Sequence, residues 1–205
     1  MKKSVFITGV FGFLGSWCAA HFSESGFEVV GIGNTNDASR KCPCFDRGTL
    51  VGTHEGAVTA RALDAAAENF GLPHALVHCA GGGSVAFSYD NPREDFLRTV
   101  GSTAEVLDFL RRNASVRLVY PSSVAVYGKA ERVPIAETAH CAPVSPYGVH
   151  KHLAEQLCRA YAAQWNLPVA IIRFFSLYGE GLRKQLLWDA CRKAAQENFS
   201  FFGAG

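Results

Sequence analysis

Short apolar runs alternate with longer amphipathic stretches along the chain, and glycine, proline or small polar residues separate them. An apolar run at residues 5–7 is followed by a helical pattern over 16–25, which Gly26 ends, and by a second apolar run over 27–32. Three more strands are predicted at residues 76–79, 117–121 and 169–174, and two long helices at 91–112 and 147–166. This alternation predicts an α/β fold, a doubly wound parallel sheet with helices on both faces.

Three glycines at a spacing of three occupy the turn between the first strand and the first helix. Gly9, Gly12 and Gly15 stand inside a strand–helix–strand unit, which is the context that gives a glycine fingerprint its meaning. One glycine allows the tight turn, another lets backbone N–H groups approach a pyrophosphate, and the third lets helix and strand pack closely. The helix N-terminus adds a favourable dipole for an anion.

The same segment has a second interpretation, a secretory signal peptide. Lys2 and Lys3 precede the apolar stretch, and Ala19 and Ala20 provide small residues downstream. The regular glycines interrupt that stretch, and a second strand follows at once, so the pattern favours the nucleotide-binding turn. No uninterrupted apolar run approaches the roughly 18 residues that a membrane span needs.

A tyrosine and a lysine four residues apart lie at the start of the second long helix. Tyr147 and Lys151 share a helix face, and an ammonium beside a phenol favours the phenolate. Ser123 follows the preceding strand and could hold a substrate oxygen while the tyrosine moves a proton. The isolated pair is also common on solvated helix surfaces, so its meaning depends on the glycine turn.

Taken together, these blocks resemble the extended short-chain dehydrogenase/reductase family, in its NAD-dependent epimerase/dehydratase branch that acts on nucleotide sugars. The resemblance rests on Gly9-x-x-Gly12-x-x-Gly15, Val77 to Gly81, Ser84-Val85, Ser122-Ser123, Val126-Tyr127-Gly128, Tyr147-x-x-x-Lys151 and Arg173 to Gly179. It implies a Rossmann-type fold with an NAD(P)-binding domain over residues 1–178. Residues 179–205 would begin a C-terminal substrate lobe, which the resemblance implies to be truncated here.

The resemblance also implies the roles of individual residues. Tyr147 would be the catalytic acid and base, Lys151 would lower its pKa and bind the nicotinamide ribose, and Ser123 would bind the reacting oxygen. The implied cofactor-binding residues are Gly9, Gly12, Phe13, Leu14, Gly15, Asn34, Ala80, Gly81, Gly82, Tyr147, Lys151 and Phe174. The implied substrate-binding residues are Ser84, Ser123 and Ser176, although Ser84 could equally be a turn residue; no metal is expected.

At several positions the sequence departs from the family's pattern. Gly33 and Asn34 stand where an acidic residue usually binds the ribose diol, and Asp37 comes too late to replace it. The basic residues that follow could favour a 2′-phosphate, so both NAD and NADP remain open; they are Arg40, Lys41 and Arg47. Gly56-Ala57 replaces a Gly-Asp pair, and Thr99 replaces a customary asparagine. Val124 follows Ser123 in place of the Asp-Glu pair of dehydratases, which favours an epimerase.

Composition and charge limit the other function classes. A net charge of +2 and the absence of a basic block give no reason to expect a nucleic-acid partner. Seven scattered cysteines, an odd number, fit a reducing cytoplasm, and His78 and Cys79 are unsuited to sharing a metal because neighbours in a strand point to opposite faces. The long helices are apolar on two sides, which together with the resemblance predicts a homodimer.

Two other functions remain open from the sequence. An NAD(P)H-dependent keto-sugar reductase would use the same three residues for a single reduction. A dinucleotide-binding module without turnover would follow if the substrate lobe were missing.

Overall fold

Six parallel strands form one sheet in the order β3-β2-β1-β4-β5-β6. The computed structural model describes residues 3–35, 47–130, 132–182 and 185–196. The strands are β1 Ser4–Thr8, β2 Glu28–Gly33, β3 Gly52–Glu55, β4 Ala75–His78, β5 Arg117–Ser123 and β6 Val169–Phe174. The predicted doubly wound α/β fold is confirmed, and the strand order is that of dinucleotide-binding sheets, with its topological switch between β1 and β4.

The helices lie between the strands, as the alternation predicts. They are α1 Phe13–Glu24, α2 Ala60–Phe70, α3 Val85–Asp90, α4 Pro92–Phe96, α5 Ser102–Arg112, α6 Pro146–Trp165 and α7 Gln185–Ala195. The helix predicted over 91–112 is interrupted, because α4 continues into a π-helical turn over Leu97–Gly101 before α5 begins. The short helix α3 was not predicted; Ser84 caps it by accepting a hydrogen bond from the Phe87 N–H.

Helices cover both faces of the sheet because alternate strand residues point to opposite sides. In β1, Phe6 belongs to a core cluster shared with α2, α5 and α6, whereas Val5 and Ile7 belong to a second cluster beneath α1. This packing leaves the carboxyl ends of the six strands at one edge, which is where ligands bind in such sheets.

None of the helices within the described ranges has the length and apolarity that crossing a membrane requires.

Candidate active site

The turn between β1 and α1 is closed by backbone contacts that only glycine permits. Gly9 has a φ of 66°, and its N–H donates to the Ile32 carbonyl at 2.7 Å. A Cβ on Gly15 would lie 2.2 Å from the Gly9 carbonyl oxygen. Helix and turn therefore pack at a distance that excludes any side chain, as the sequence predicts for a dinucleotide fingerprint.

The start of α1 offers backbone donors to an anion. Gly12 is the N-cap residue, has extended backbone and provides no side-chain cap, so the N–H groups of the first turn, at Phe13, Leu14 and Gly15, stay available. Asn34 is exposed just beyond β2, next to Gly33, at which a Cβ would lie 3.4 Å from the Gly9 Cα. These features fit the pyrophosphate and adenosine ribose of a dinucleotide.

Hydrogen bonds fix the loop after β4, where Ala80, Gly81 and Gly82 lie. The Ala80 N–H donates to Thr8 Oγ1 at 3.3 Å, and Thr8 Oγ1 lies 2.6 Å from Nδ1 of the buried His78. On the other side, the Gly82 N–H donates to Thr99 Oγ1 at 2.9 Å. The loop is thereby held from β1 and from the π-helical turn, on both sides of the crevice.

The imidazole of His78 is held in its neutral form. Burial, aided by the positive charge of Lys151, lowers the pKa of His78 to about 3. Since the Ser102 hydroxyl donates to the Arg98 carbonyl at 2.6 Å, it accepts from His78 Nε2–H at 3.3 Å, and Nδ1 then accepts from the Thr8 hydroxyl. His78 is therefore a neutral link in the scaffold beneath the loop, and the described residues contain no cluster suited to a metal ion.

Lys151 reaches the same loop from α6. Its Nζ donates to the Pro121 carbonyl at 2.9 Å, lies 5.0 Å from the Tyr120 ring centre, and would be 3.7 Å from a Cβ on Gly81. Burial lowers the pKa of Lys151 to about 8, and four surrounding groups oppose that fall. They are Cys79, Asp95, Cys158 and Glu155. The ammonium thus lies between the end of β5 and the Ala80–Gly82 loop, and its catalytic role stays a prediction.

Tyr147 and Ser123 come together at the carboxyl end of β5. Burial raises the pKa of Tyr147, and interaction of its phenol with the Ser123 hydroxyl opposes that rise. The backbone of Tyr147 is fixed because its N–H donates to Ser88 Oγ at 3.0 Å, and Ser123 Oγ accepts from the Ala125 N–H at 3.2 Å. A tyrosine and a serine hydroxyl near a buried lysine can exchange a proton with an alcohol or carbonyl.

The remaining predicted residues lie at or near the same edge. Phe174 ends β6 in register with Ser123, and Ser176 is exposed two residues further along. Ser84 caps α3, and its part in substrate binding stays a prediction. Asp37, Arg40 and Lys41 lie outside the described residues, as does the side chain of Arg47, so the cofactor choice attached to them stays a prediction.

A family model for the NAD-dependent epimerase/dehydratase family matches residues 5–205 of the chain. The chain belongs to this family. The UDP-glucose 4-epimerase of Streptomyces lividans is 28% identical over 189 residues, which are 92% of this chain and 56% of that protein. The chain thus spans about half the length of the curated relatives it matches.

Solved structures of family members superpose on the fold. The UDP-glucose 4-epimerase of Brucella ovis, crystallised with NAD, has a TM-score of 0.76 and 27% identity, covering 85% of this chain and 52% of that one. An NAD-dependent NDP-hexosamine 5,6-dehydratase involved in tunicamycin biosynthesis has a TM-score of 0.81 and 27% identity, covering 95% and 62%. The predicted family and fold are confirmed by these matches.

Sequence reasoning missed a buried ion pair that joins α6 to β5 and β6. Glu155 accepts from Arg173 Nη2 at 2.7 Å and from Ser122 Oγ at 2.6 Å. The Arg173 guanidinium also lies 4.6 Å from the Tyr127 ring centre. Burial by itself would raise the pKa of Glu155, but these hydrogen bonds outweigh it and lower the pKa. The available signal was a glutamate four residues after Lys151, on the same face of the helix.

A second missed pair joins α4 to α6. His150 Nδ1 lies 2.6 Å from Asp95 Oδ2, and the Asp95 side chain is fully buried. Their separation of 55 positions hides this contact from any local pattern.

Proposed function

We propose that this chain forms the dinucleotide-binding part of an NAD(P)-dependent nucleotide-sugar epimerase, with Tyr147 as its acid and base. The observation that carries the proposal is the hydrogen-bonded pair of Ser123 and Tyr147 at the carboxyl end of β5, with Lys151 one turn further along α6 and its Nζ bonded to the Pro121 carbonyl of β5. The family match and the named epimerases support the reaction class.

Residues of the crevice would hold the cofactor, NAD or NADP. The open backbone donors of α1 bind the pyrophosphate, and Asn34, exposed just beyond β2, lies at the adenosine end. The Ala80–Gly82 loop, Phe174 and Lys151 line the nicotinamide end. When bound, the nicotinamide reversibly accepts a hydride from a sugar carbon.

The chain's own residues manage the proton and the orientation of the substrate. Ser123 binds the reacting sugar oxygen, and Tyr147 removes its proton and later returns it. Burial raises the pKa of Tyr147 and the hydrogen bond with Ser123 opposes that rise; the Lys151 ammonium, one helical turn along α6, would favour the phenolate further. Ser176 and Ser84 border the sugar nucleotide.

The test follows product epimers and reduced nicotinamide during incubation with NAD or NADP and a panel of nucleotide sugars. Tyr147→Phe should abolish turnover and leave cofactor binding intact, whereas Tyr161→Phe, on the same helix, should leave both unchanged. Full activity in Tyr147→Phe would refute the assigned role. Cofactor binding without turnover on any sugar would instead identify a binding module, and single reduction of a keto sugar would identify a reductase.

A second copy of this chain is the proposed partner. Phe96 and Leu97, before α5, and Val149 and Leu153 on α6 leave large apolar side chains exposed, and Phe96 contacts His150 of α6, which brings the two sets together. Leu157, by contrast, packs against the core of its own chain. Leu153→Glu should turn a dimer into a monomer in sedimentation experiments, and an unchanged mass would contradict the proposal.

The remaining assignments complete this proposal. Residues 1–178 are the dinucleotide-binding domain, and 179–205 begin the substrate lobe, where Leu186, Leu187 and Trp188 expose apolar surface on α7. Limited proteolysis should cleave first near residue 180, and cleavage inside α6 would argue against this division.

We place the protein in the cytoplasm, where the five described cysteines would remain free thiols; fractionation of cells tests this.

A further inference from the structure

One buried carboxylate near the candidate site has no role in the mechanism above. Asp95 is fully buried in α4, and its Oδ2 accepts a hydrogen bond from His150 Nδ1 at 2.6 Å. Its other oxygen, Oδ1, is buried and has no hydrogen-bond partner within the described part of the chain. Burying a carboxylate with one oxygen unpaired is costly, which suggests that its charge serves something nearby.

The unpartnered oxygen points at the cofactor-facing loop. A Cβ on Gly82 would lie 1.8 Å from Asp95 Oδ1, so the carboxylate packs directly against that glycine. The neighbouring glycine, Gly81, lies against Lys151 Nζ. Asp95 and Lys151 therefore approach adjacent residues of one loop, a negative charge beside one and a positive charge beside the other.

We propose that Asp95, held in place by His150, is the buried negative charge that acts electrostatically on Lys151 and Tyr147 and so influences their protonation. The proposal deepens the function proposed above and rests on it for its catalytic meaning. Asp95 is a positioning residue, because it acts through Lys151 and touches no reacting atom.

The direction of the effect follows from charge alone. Burial disfavours the ammonium of Lys151, and a carboxylate nearby restores it, so Asp95 raises the pKa of Lys151. The same negative charge disfavours a phenolate and raises the pKa of Tyr147. Removing the charge should therefore move both ionisations to lower pH together.

Other charged and titratable groups also face Lys151. They are His78 and Cys79 at the end of β4, and Glu155 and Cys158 on α6. Glu155 already neutralises Arg173 at 2.7 Å, and His78 is neutral, so Asp95 is the carboxylate in this group without a cationic arginine partner.

The test measures Lys151 directly and needs no turnover. In protein with 13C- and 15N-labelled lysine, the side-chain resonance of Lys151, assigned with Lys151→Arg, is followed against pH by NMR. In Asp95→Asn the midpoint should fall by about one pH unit. In His150→Gln, which keeps the charge and offers a donor to it, the midpoint should stay within a few tenths of the unmodified value.

A matched control removes a carboxylate elsewhere on the same helical segment. Asp108→Asn on α5 alters an exposed group paired with Arg111, and should leave the Lys151 midpoint unchanged. Equal falls in Asp95→Asn and His150→Gln would overturn the proposal, because disturbed packing would then explain both. An unchanged midpoint in Asp95→Asn would overturn it as well.

A measurement on the unmodified protein covers the case in which Asp95→Asn does not fold. The 13C chemical shift of the Asp95 carboxyl carbon, followed against pH, should show an inflection at the midpoint of the Lys151 titration, since the two charges interact. Absence of this inflection would refute the proposal. Where turnover exists, the pH–kcat/KM profile of Asp95→Asn should move as a whole to lower pH. Asp95→Asn could lower the Lys151 midpoint in the NMR titration and yet leave the pH–kcat/KM profile in place. That result would count against the proposed reaction and leave the electrostatic pairing intact.

Discussion

The ion pair of Glu155 and Arg173 gives a strong stability prediction. Glu155 is fully buried, and it accepts from Arg173 Nη2 at 2.7 Å, from Arg173 Nε at 2.9 Å and from Ser122 Oγ at 2.6 Å. The substitution Glu155→Gln keeps the shape and removes the charge. Arg173, only 13% exposed in its side chain, is then left without a neutralising partner.

The size of the loss follows from the partners that remain. Breaking a buried pair by removing one member costs about 3–5 kcal/mol. Arg173 would keep its hydrogen bond to the Glu137 carbonyl at 3.0 Å and its contact with Tyr127, which places the loss near the lower end, about 3 kcal/mol. With a slope of about 2 kcal/mol per molar urea, the unfolding midpoint should fall by about 1.5 M.

Urea unfolding followed by circular dichroism measures this loss. The pKa of Glu155 is lowered in the folded chain, so its contribution is fully present above the unfolded pKa and disappears as pH falls through the folded one. The difference between the native chain and Glu155→Gln should therefore shrink in acid. Asp108→Asn, at an exposed pair, serves as the control and should change the midpoint little. A loss below about 0.5 kcal/mol for Glu155→Gln would refute the reasoning.

Further predictions concern the glycine turn and the buried histidine. Gly15→Ala should abolish dinucleotide binding in a fluorescence titration, because its Cβ would lie 2.2 Å from the Gly9 carbonyl oxygen, whereas Gly101→Ala, with its nearest neighbour at 3.8 Å, should bind normally. The pKa of His78 is lowered to about 3, so the unfolded chain binds the extra proton as pH falls below 6.5. Between pH 7 and pH 5 the native chain should lose about 2 kcal/mol more stability than His78→Gln in denaturant titrations; parallel losses would contradict a buried neutral imidazole.

The sequence was informative wherever local pattern and geometry coincide. The strand predicted at Val169–Phe174 has those bounds in the structure, and the helix predicted over 147–166 begins and ends one residue earlier. Glycine spacing indicated the β1–α1 turn correctly, because the steric limits of a turn act between near neighbours. Alternating strands and helices then sufficed for the sheet.

Other features of the fold are not visible in the local sequence pattern. The π-helical turn over Leu97–Gly101 leaves the helical periodicity almost unchanged, so the interrupted helix reads as a continuous one. The six residues of α3 are too few to show a period. Asp95 and His150 meet across 55 positions, and either alone reads as an ordinary helix residue. Polar partners inside a fold are set by tertiary packing, which pattern reasoning does not reach.

The uncapped start of α1 has a consequence for measuring occupancy. The N–H groups of Phe13, Leu14 and Gly15 have no partner within the helix, and Gly12 supplies no side-chain cap. Their hydrogens should exchange rapidly with deuterated solvent in the free chain and slowly once a pyrophosphate accepts them. A short peptide across this turn would then report by its mass whether the crevice is filled.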